Sequence, residues 1–172
     1  MSMVSSFMNL LELWNSAGQR VSRTEWPSRL RGVPGAFDRR NDVAVLRVEG
    51  LDAPPLRAVD PHVGDAVAVL GYPGGGPLTT GAAAVRDAYQ ALGRDIYGGG
   101  LTRRAILELQ ADVRPGNSGG PFVLPDGTVG GMVFARSVTN SRIGYALAPS
   151  ELRRELNRSQ SGSVSTGSCA AA

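Results

Sequence analysis

The sequence contains no lysine, one histidine and one cysteine in its 172 residues. A structural zinc site takes four ligands, mostly cysteine and histidine, and His62 with Cys169 cannot supply them. The glycine run at residues 74–76 has no lysine and no predicted helix behind it, unlike a phosphate-binding loop. We therefore expect neither a metal ion nor any other cofactor.

All basic side chains are arginines, and they leave a formal net charge of +3. They are scattered as single residues and as the pairs Arg39-Arg40, Arg103-Arg104 and Arg153-Arg154. A nucleic-acid-binding surface needs a basic face or stripe, and no stretch of the sequence provides one. We expect no nucleic-acid partner.

The chain also lacks a long hydrophobic run. Its most apolar N-terminal stretch, residues 7–14, is far shorter than the roughly 20 residues that span a bilayer. No basic residue precedes it and no small-residue cleavage site follows at the right distance, so it is a poor signal peptide. We expect no membrane segment and no signal peptide in this chain.

Residues 1–35 differ in composition from the rest, because both tryptophans and three of the four methionines fall there. One interpretation is a short amphipathic helix at a disordered terminus. The other, which we favour, is a misplaced start or a frame error upstream of an ordinary domain, since composition changes abruptly near Gly35. We leave this segment unassigned.

From Asp42 onward the pattern is that of an all-β domain with many turns, in keeping with 23 glycines. The predicted strands cover residues 43–48, 67–70, 79–88, 103–110, 121–124, 128–135 and 143–147. A helix at 150–157 follows, with Pro149 near its start, Glu151 in its first turn and arginines toward its end. Six strands after residue 66 make one complete antiparallel barrel, and only one strand precedes them.

A serine lies between glycines in the stretch Gly116-Asn117-Ser118-Gly119-Gly120, directly before an apolar strand. An acyl-transfer serine needs a tight turn whose N–H groups point at the oxygen that becomes negative in the transition state. Gly116 can take backbone angles that other residues avoid. We predict an oxyanion hole over Gly116, Asn117 and Ser118, with the Gly116 and Ser118 N–H groups as donors. The alternative is an ordinary Gly/Ser turn.

This stretch resembles the active-serine segment of the trypsin-like (chymotrypsin-fold) bacterial serine proteases, most nearly the membrane-anchored, acid-resistance periplasmic (MarP-like) ones. Further segments of the family are matched by residues 41–46, 63–73, 130–137 and 144–152. The resemblance covers about residues 36–170. It implies a protease domain at 36–158, with a partial first barrel at 36–60, a complete second barrel at 61–158 and a flexible tail at 159–172.

By this resemblance Ser118 is the nucleophile and Asp42 is the acid that orients a histidine; the alternative for Asp42 is a strand cap. The family carries its histidine well before the aspartate, and this chain has only His62, after it. We interpret His62 as an exposed loop residue without a catalytic role. Relatives pair a C-terminal cysteine with one near the start of the domain, and Cys169 has no such partner here.

For substrate binding, the resemblance points to Asp112, which borders the primary side-chain pocket, and to Phe134, Ala135 and Arg136, which pair with the substrate backbone. A carboxylate at 112 would favour a basic residue before the cut; the alternative is a loop aspartate that bonds its own backbone.

The resemblance thus implies an extracytoplasmic, periplasmic-type serine endopeptidase that acts on peptides or proteins. Because the triad histidine is absent, we expect this chain to be inactive or very weak. The alternative is a non-catalytic protease remnant or peptide-binding module.

Overall fold

A computed structural model describes residues 32–49, 53–159 and 162–167. The predictions for residues 7–14 and for Cys169 lie outside these residues. Within the described ranges, no helix has the length and apolar character needed to cross a membrane.

Eight strands and one α-helix form the described structure. The strands are β1 (Gly32–Asp38), β2 (Val43–Val48), β3 (Ala66–Gly71), β4 (Thr79–Arg94), β5 (Leu101–Gln110), β6 (Pro121–Val123), β7 (Val129–Arg136) and β8 (Ile143–Leu147). The helix α1 covers Pro149–Arg158, and a short 3-10 turn covers Pro73–Gly75. β1 and β2 pair as an antiparallel hairpin, while the other six strands close into an antiparallel barrel in the order β3-β4-β5-β8-β7-β6. The predicted all-β fold with a complete barrel is confirmed.

Strand β1 corrects the prediction that only one strand precedes the barrel. Two glycines and a proline in Gly32–Asp38 gave this segment the composition of a loop, since both residue types are depleted in strands. A register shift between Pro34 and Ala36 absorbs the irregularity, so the segment still pairs with β2 along its length. β1 also crosses the predicted start of the domain at residue 36.

Strands β4 and β5 are longer than predicted. Beyond the part of β5 that pairs with β8, residues 90–94 and 101–105 continue as a two-stranded ribbon. Many side chains on this ribbon are exposed, so the alternating apolar pattern that marks a half-buried strand is weak there. Backbone pairing alone therefore extends the hairpin past the range that the sequence indicated.

Two clusters of buried side chains make up the core. The larger one fills the barrel, and it includes Leu109, Phe122 and Val133, none of which is accessible to solvent. The smaller one joins the hairpin to the barrel and consists of Val43, Ile106, Met132 and Leu147. Val43 is the residue of β2 in this cluster. Burial of its side chain contributes about 1.5–3 kcal/mol to the packing of β2 on the barrel.

Helix α1 fastens itself to the barrel through a buried acid. Pro149 occupies its first turn and Arg158 its last, as predicted. Glu151 is only 2% exposed. Its Oε1 accepts the N–H of Ala105 on β5 at 3.0 Å, and its Oε2 pairs with Arg154. The buried carboxylate thus satisfies a strand N–H that lies beyond the last β5–β8 pair.

We expect Glu151→Ala to lower the free energy of unfolding by about 1–3 kcal/mol, because the Ala105 N–H loses its acceptor in a buried setting. Arg153→Ala, which breaks the exposed ion pair with Asp60, is the control and should cost less than about 1 kcal/mol. Urea denaturation of both variants measures the difference. Equal losses would mean that Glu151 does not hold the helix on the barrel.

Candidate active site

The loop between β5 and β6 carries Ser118 and rests on the turn that follows β3. The N–H of Tyr72 donates to the carbonyl of Gly116 at 3.2 Å, and the N–H of Gly74 donates to Pro115 at 2.8 Å. Gly116 has φ +100°, and a Cβ there would lie 2.1 Å from the Tyr72 carbonyl oxygen. Only glycine fits this position, as the sequence predicted for the residue two before the serine.

The chain after Ser118 is held equally closely. The N–H of Gly119 donates to Val133 at 2.7 Å, and the N–H of Val133 donates to Gly120 at 2.9 Å. A Cβ on Gly120 would lie 2.2 Å from the Leu70 carbonyl oxygen. Backbone contacts on both sides therefore fix the position of the serine.

Ser118 itself makes one long hydrogen bond, from its Oγ to the carbonyl of Phe134 on β7 at 3.4 Å. No residue in the described part of the chain occupies the backbone N–H of Gly116 or of Ser118. These two donors are therefore available to a substrate oxygen, which is what an oxyanion hole requires.

Asn117 has a different role from its two neighbours. Its N–H donates to the carbonyl of Arg114 at 3.0 Å, and its Oδ1 accepts the N–H of Arg114 at 3.0 Å. The side chain is buried, and a Cβ on Gly71 would lie 2.6 Å from its Nδ2. Asn117 thus braces the loop against β3, and its N–H is engaged within the loop, so the donors considered for an oxyanion are those of Gly116 and Ser118.

Asp42 ends the turn between β1 and β2, with its backbone in the left-handed region at φ 60°. The turn is organised from Asp38, whose Oδ1 accepts the Arg40 N–H at 2.8 Å and whose Oδ2 accepts Asn41 Nδ2 at 2.9 Å. A positive φ is uncommon for residues other than glycine, with Asp and Asn the best tolerated. The conformation sets Asp42 apart from an ordinary strand residue.

The Asp42 carboxylate is half-buried and accepts no hydrogen bond from the residues that the structure describes. Burial raises the pKa of Asp42 from 3.8 to about 6, against the opposing effect of the positive charge on Arg104. Side chains with shifted pKa values of this kind are concentrated at functional sites.

The segments that carry the two predicted triad members both approach strand β7. Val43, the residue after Asp42, packs in the cluster that contains Met132 and borders Phe134. The carbonyl of Phe134 in turn accepts the hydroxyl of Ser118. The hairpin and the serine loop therefore approach the same short segment of β7 from two directions.

The predicted substrate-binding residues fall into two groups. Ala135 and Arg136 of β7 pair with β8, and Phe134 lies at a register shift between them and Val133. The pairing of β6 with β7 ends at Met132, so within the described residues one edge of residues 134–136 is open next to Ser118. Asp112 is exposed, and its Oδ2 accepts bonds from Arg114 Nε at 2.9 Å and Nη2 at 2.6 Å. This bonding lowers the pKa of Asp112. Its partner is a side chain, whereas the alternative interpretation expected its own backbone.

His62 lies in the exposed loop before β3, where its backbone N–H donates to Asp65 at 2.8 Å. Its imidazole is 88% exposed and 3.8 Å from the same carboxylate. It takes no part in the Ser118 site. Within residues 32–49, 53–159 and 162–167, no three His, Cys, Asp or Glu side chains converge as metal ligands would.

One side chain near Asp42 was not singled out from the sequence. Arg104 on β5 donates from Nε to the carbonyl of Arg40 at 2.8 Å and from Nη2 to that of Arg94 at 2.8 Å. Arginine in an exposed strand gives no signal of such a contact, because its partners are backbone atoms far away in sequence.

A closed antiparallel barrel that fixes a serine between backbone contacts, beside two free N–H groups and an open strand edge, defines the class of trypsin-like serine peptidases. Comparison with known families agrees: residues 15–132 match the family model described as Trypsin-like peptidase domain. The chain belongs to this family.

Individual relatives support the assignment. The serine protease Rv3671c of Mycobacterium tuberculosis is 38% identical over 138 residues, which cover 78% of this chain and 35% of that protein. A probable periplasmic serine endoprotease, DegP-like, of Halomonas elongata is 31% identical over 116 residues, 64% of this chain and 23% of that protein. The chain thus spans about a third or less of the length of these relatives.

A solved structure has the same fold. The crystal structure of the active form of the Rv3671c protease from M. tuberculosis superposes with a TM-score of 0.78 at 35% identity, covering 83% of this chain and 64% of that one. The resemblance to a trypsin-like protease of this type is confirmed.

Asp42→Asn should raise the free energy of unfolding at about pH 8 and leave it nearly unchanged at about pH 4. The folded-state pKa of Asp42 lies above the ordinary value, so the native state favours the protonated acid and loses stability as pH rises through about 6. The effect is at most about 3 kcal/mol. Urea denaturation as a function of pH measures it.

Asp126→Asn is a control of opposite sign, because hydrogen bonds from Thr128 lower the pKa of Asp126. It should reduce stability at neutral pH, where the wild-type carboxylate is ionised. An Asp42→Asn variant that is no more stable at pH 8 than the wild type would contradict the burial of a charge at this position.

Proposed function

We propose that this chain carries the serine half of a serine endopeptidase site, with Ser118 as the nucleophile. The observation that carries the proposal is the loop geometry: a hydroxyl held by close backbone contacts beside the unoccupied N–H groups of Gly116 and Ser118. Asp42 is the acid that orients a general base. Its half-buried, unbonded carboxylate suits that role, since an orienting aspartate must accept the base's N–H.

The reaction needs a base, and none of the residues that the structure describes places one at the site. As Ser118 Oγ attacks the peptide carbonyl, its proton must pass to an acceptor, and the carbonyl electron pair moves onto the oxygen bound by the two N–H groups. The same proton then goes to the leaving amine as the C–N bond breaks. His62 cannot serve, being exposed on a separate loop. Loss of one triad member costs about 10⁴ to 10⁶ in turnover, so we expect very weak activity or none.

The substrate would bind as an added strand along residues 134–136 of β7, whose outer edge is open. Its scissile carbonyl would then reach Ser118, because Phe134 already contacts that side chain. Asp112 gives weaker support for a basic residue before the cut, since Arg114 already binds its carboxylate and offsets its charge.

A non-catalytic peptide-binding module is the second candidate, and the same open edge favours it. Extended peptides would bind there whether or not a base is present. Calorimetric titration of Ser118→Ala with such peptides tests binding separately from chemistry.

We place the protein outside the cytoplasm, in a periplasmic-type compartment. The support is the description of the Halomonas relative as a periplasmic endoprotease. Export of the native protein and its accessibility in spheroplasts would test this proposal.

Ser118 should react with a fluorophosphonate probe on the order of 10⁴-fold more slowly than the serine of an intact triad, because an unassisted hydroxyl is a weak nucleophile. Time-resolved labelling measured by mass spectrometry gives the rate. Ser118→Ala should remove the residual label, and His62→Ala should leave it unchanged. Fast labelling that disappears in His62→Ala would show that His62 acts as the base.

Peptidase activity should appear when residues 1–31 are replaced by the segment of Rv3671c that precedes its counterpart of β1, with the triad histidine that the family leads us to expect there. The imidazole would then bind between Asp42 and Ser118. Ser118→Ala and Asp42→Ala should each abolish the activity of the chimera, and His62→Ala should not. A folded chimera that remains inactive would count against the roles of Asp42 and the oxyanion loop.

A further inference from the structure

We infer that Arg104 is a positioning residue for Asp42, holding the turn between β1 and β2 against the tip of the β4–β5 hairpin. The inference rests on the proposed role of Asp42. Arg104 touches neither Ser118 nor the open edge of β7, so it would act through the turn alone.

The guanidinium of Arg104 bridges two backbone segments that are distant in sequence. Nε and Nη2 both donate to the carbonyl of Arg40 in the turn, and Nη2 also donates to the carbonyl of Arg94 at the end of β4. A planar fork with several fixed donors can bind two carbonyl groups at once, which a lysine ammonium on its flexible stem does less well. The turn is thereby tied to the barrel's longest hairpin.

Three further contacts reinforce the same interface. The N–H of Ile96 donates to the carbonyl of Arg39 at 3.1 Å. The Arg39 side chain lies 3.9 Å from the Asp95 carboxylate, with its guanidinium 6.0 Å from the centre of the Tyr97 ring. Residues 95–97 therefore contact the turn at Arg39, and Arg104 contacts it at Arg40.

Asp95 stabilises the loop between β4 and β5, which contacts the turn. Its Oδ1 accepts the N–H of Tyr97 at 3.0 Å and that of Gly99 at 2.7 Å. Arg94 adds a bond from Nη1 to the carbonyl of Gly98 at 3.0 Å. Hydrogen bonds within the loop thus fix its conformation independently of its contacts with the turn.

The turn needs such support because of its own conformation. Asp42 is held at φ 60°, which is unfavourable for a residue with a side chain, and strained residues persist only where their surroundings impose them. In the described structure, β2 pairs with β1 alone, so no second strand constrains the residues on either side of the turn. Val43 anchors the C-terminal side by burial, and Arg104 anchors the N-terminal side by hydrogen bonds.

Arg104 also brings a positive charge to the half-buried carboxylate. That charge favours the ionised form of Asp42, the form that an orienting acid must have. A single residue thus has two separable effects: its hydrogen bonds fix the turn, and its charge favours the ionised acid.

The test uses Arg104→Gln and Arg104→Lys in the full chain, with Arg103→Gln as a matched control. Arg103 is the exposed neighbour on β5, and its side chain points to the opposite face of the strand. Carbon-13 NMR titration of the Asp42 carboxyl reports the charge effect, and hydrogen exchange of the Ile96 amide reports docking of the turn.

Arg104→Gln should shift the pKa of Asp42 upward and speed Ile96 exchange by roughly tenfold, because charge and hydrogen bonds are both lost. Arg104→Lys should keep the pKa close to the wild-type value but speed exchange as well. Arg103→Gln should change neither. If Arg104→Gln does not fold, Ile96 exchange in Arg104→Lys decides.

Ile96 exchange that is as slow in Arg104→Lys as in Arg103→Gln would overturn the inference, as would an unchanged Asp42 pKa in folded Arg104→Gln. These measurements do not depend on catalysis. We call the contacts of Arg104 with the turn the Arg104 clamp. If the chimera is inactive but the Arg104 variants behave as expected, the role of Asp42 is rejected and the clamp is retained. If the chimera is active but the Arg104 variants behave like Arg103→Gln, the clamp alone is rejected.

Discussion

The serine site depends on close backbone contact between its loop and the end of β3. An added Cβ would lie 2.1 Å from the Tyr72 carbonyl oxygen at Gly116, 2.2 Å from the Leu70 carbonyl oxygen at Gly120 and 2.6 Å from Asn117 Nδ2 at Gly71. These distances are too short for any side chain. Because these three contacts follow one another along the interface, the loop cannot slide without moving β3 and so disturbing the barrel. The two free N–H groups are therefore set by the fold, independently of any residue that performs acid–base chemistry.

The acid is held by a different kind of interaction. Whereas the serine loop is fixed by neutral backbone packing, Asp42 combines an unfavourable backbone angle with a partly desolvated charge. Both features cost stability, and both must be offset by neighbouring contacts: the buried Val43 on one side and Arg104 on the other. This arrangement is typical of functional sites, where local strain is maintained by the surrounding structure.

The sequence was informative where one local rule decides the structure. The glycines around Ser118 could be interpreted because a tight turn leaves no alternative, and the barrel strands because apolar residues alternate along them. It was misleading at β1, where Gly32, Pro34 and Gly35 conceal a strand that pairing with β2 stabilises. It also gave no sign of the burial of Glu151 and Glu155, which are charged residues on a short helix yet almost fully buried. The Ala105 N–H on β5 and the cations Arg154 and Arg158 on the helix itself make this burial possible, and no local sequence pattern reveals a donor as distant as Ala105.

The raised pKa of Asp42 has a consequence for how the two halves of the site work together. In an aspartate that orients an imidazole, the donated N–H and the positive charge that develops on the ring both favour the carboxylate, and they oppose the effect of burial. Burial is the largest influence on the pKa of Asp42, and among the described residues the charge of Arg104 counters it. A hydrogen bond to this carboxylate would therefore be more favourable than one to a solvated aspartate. The carboxylate is already partly desolvated in the folded protein, and the donor would offset that cost. On the proposed roles, the serine half is formed by the barrel and the acid half is held in place by Arg104, so binding a base would require little further rearrangement of either half.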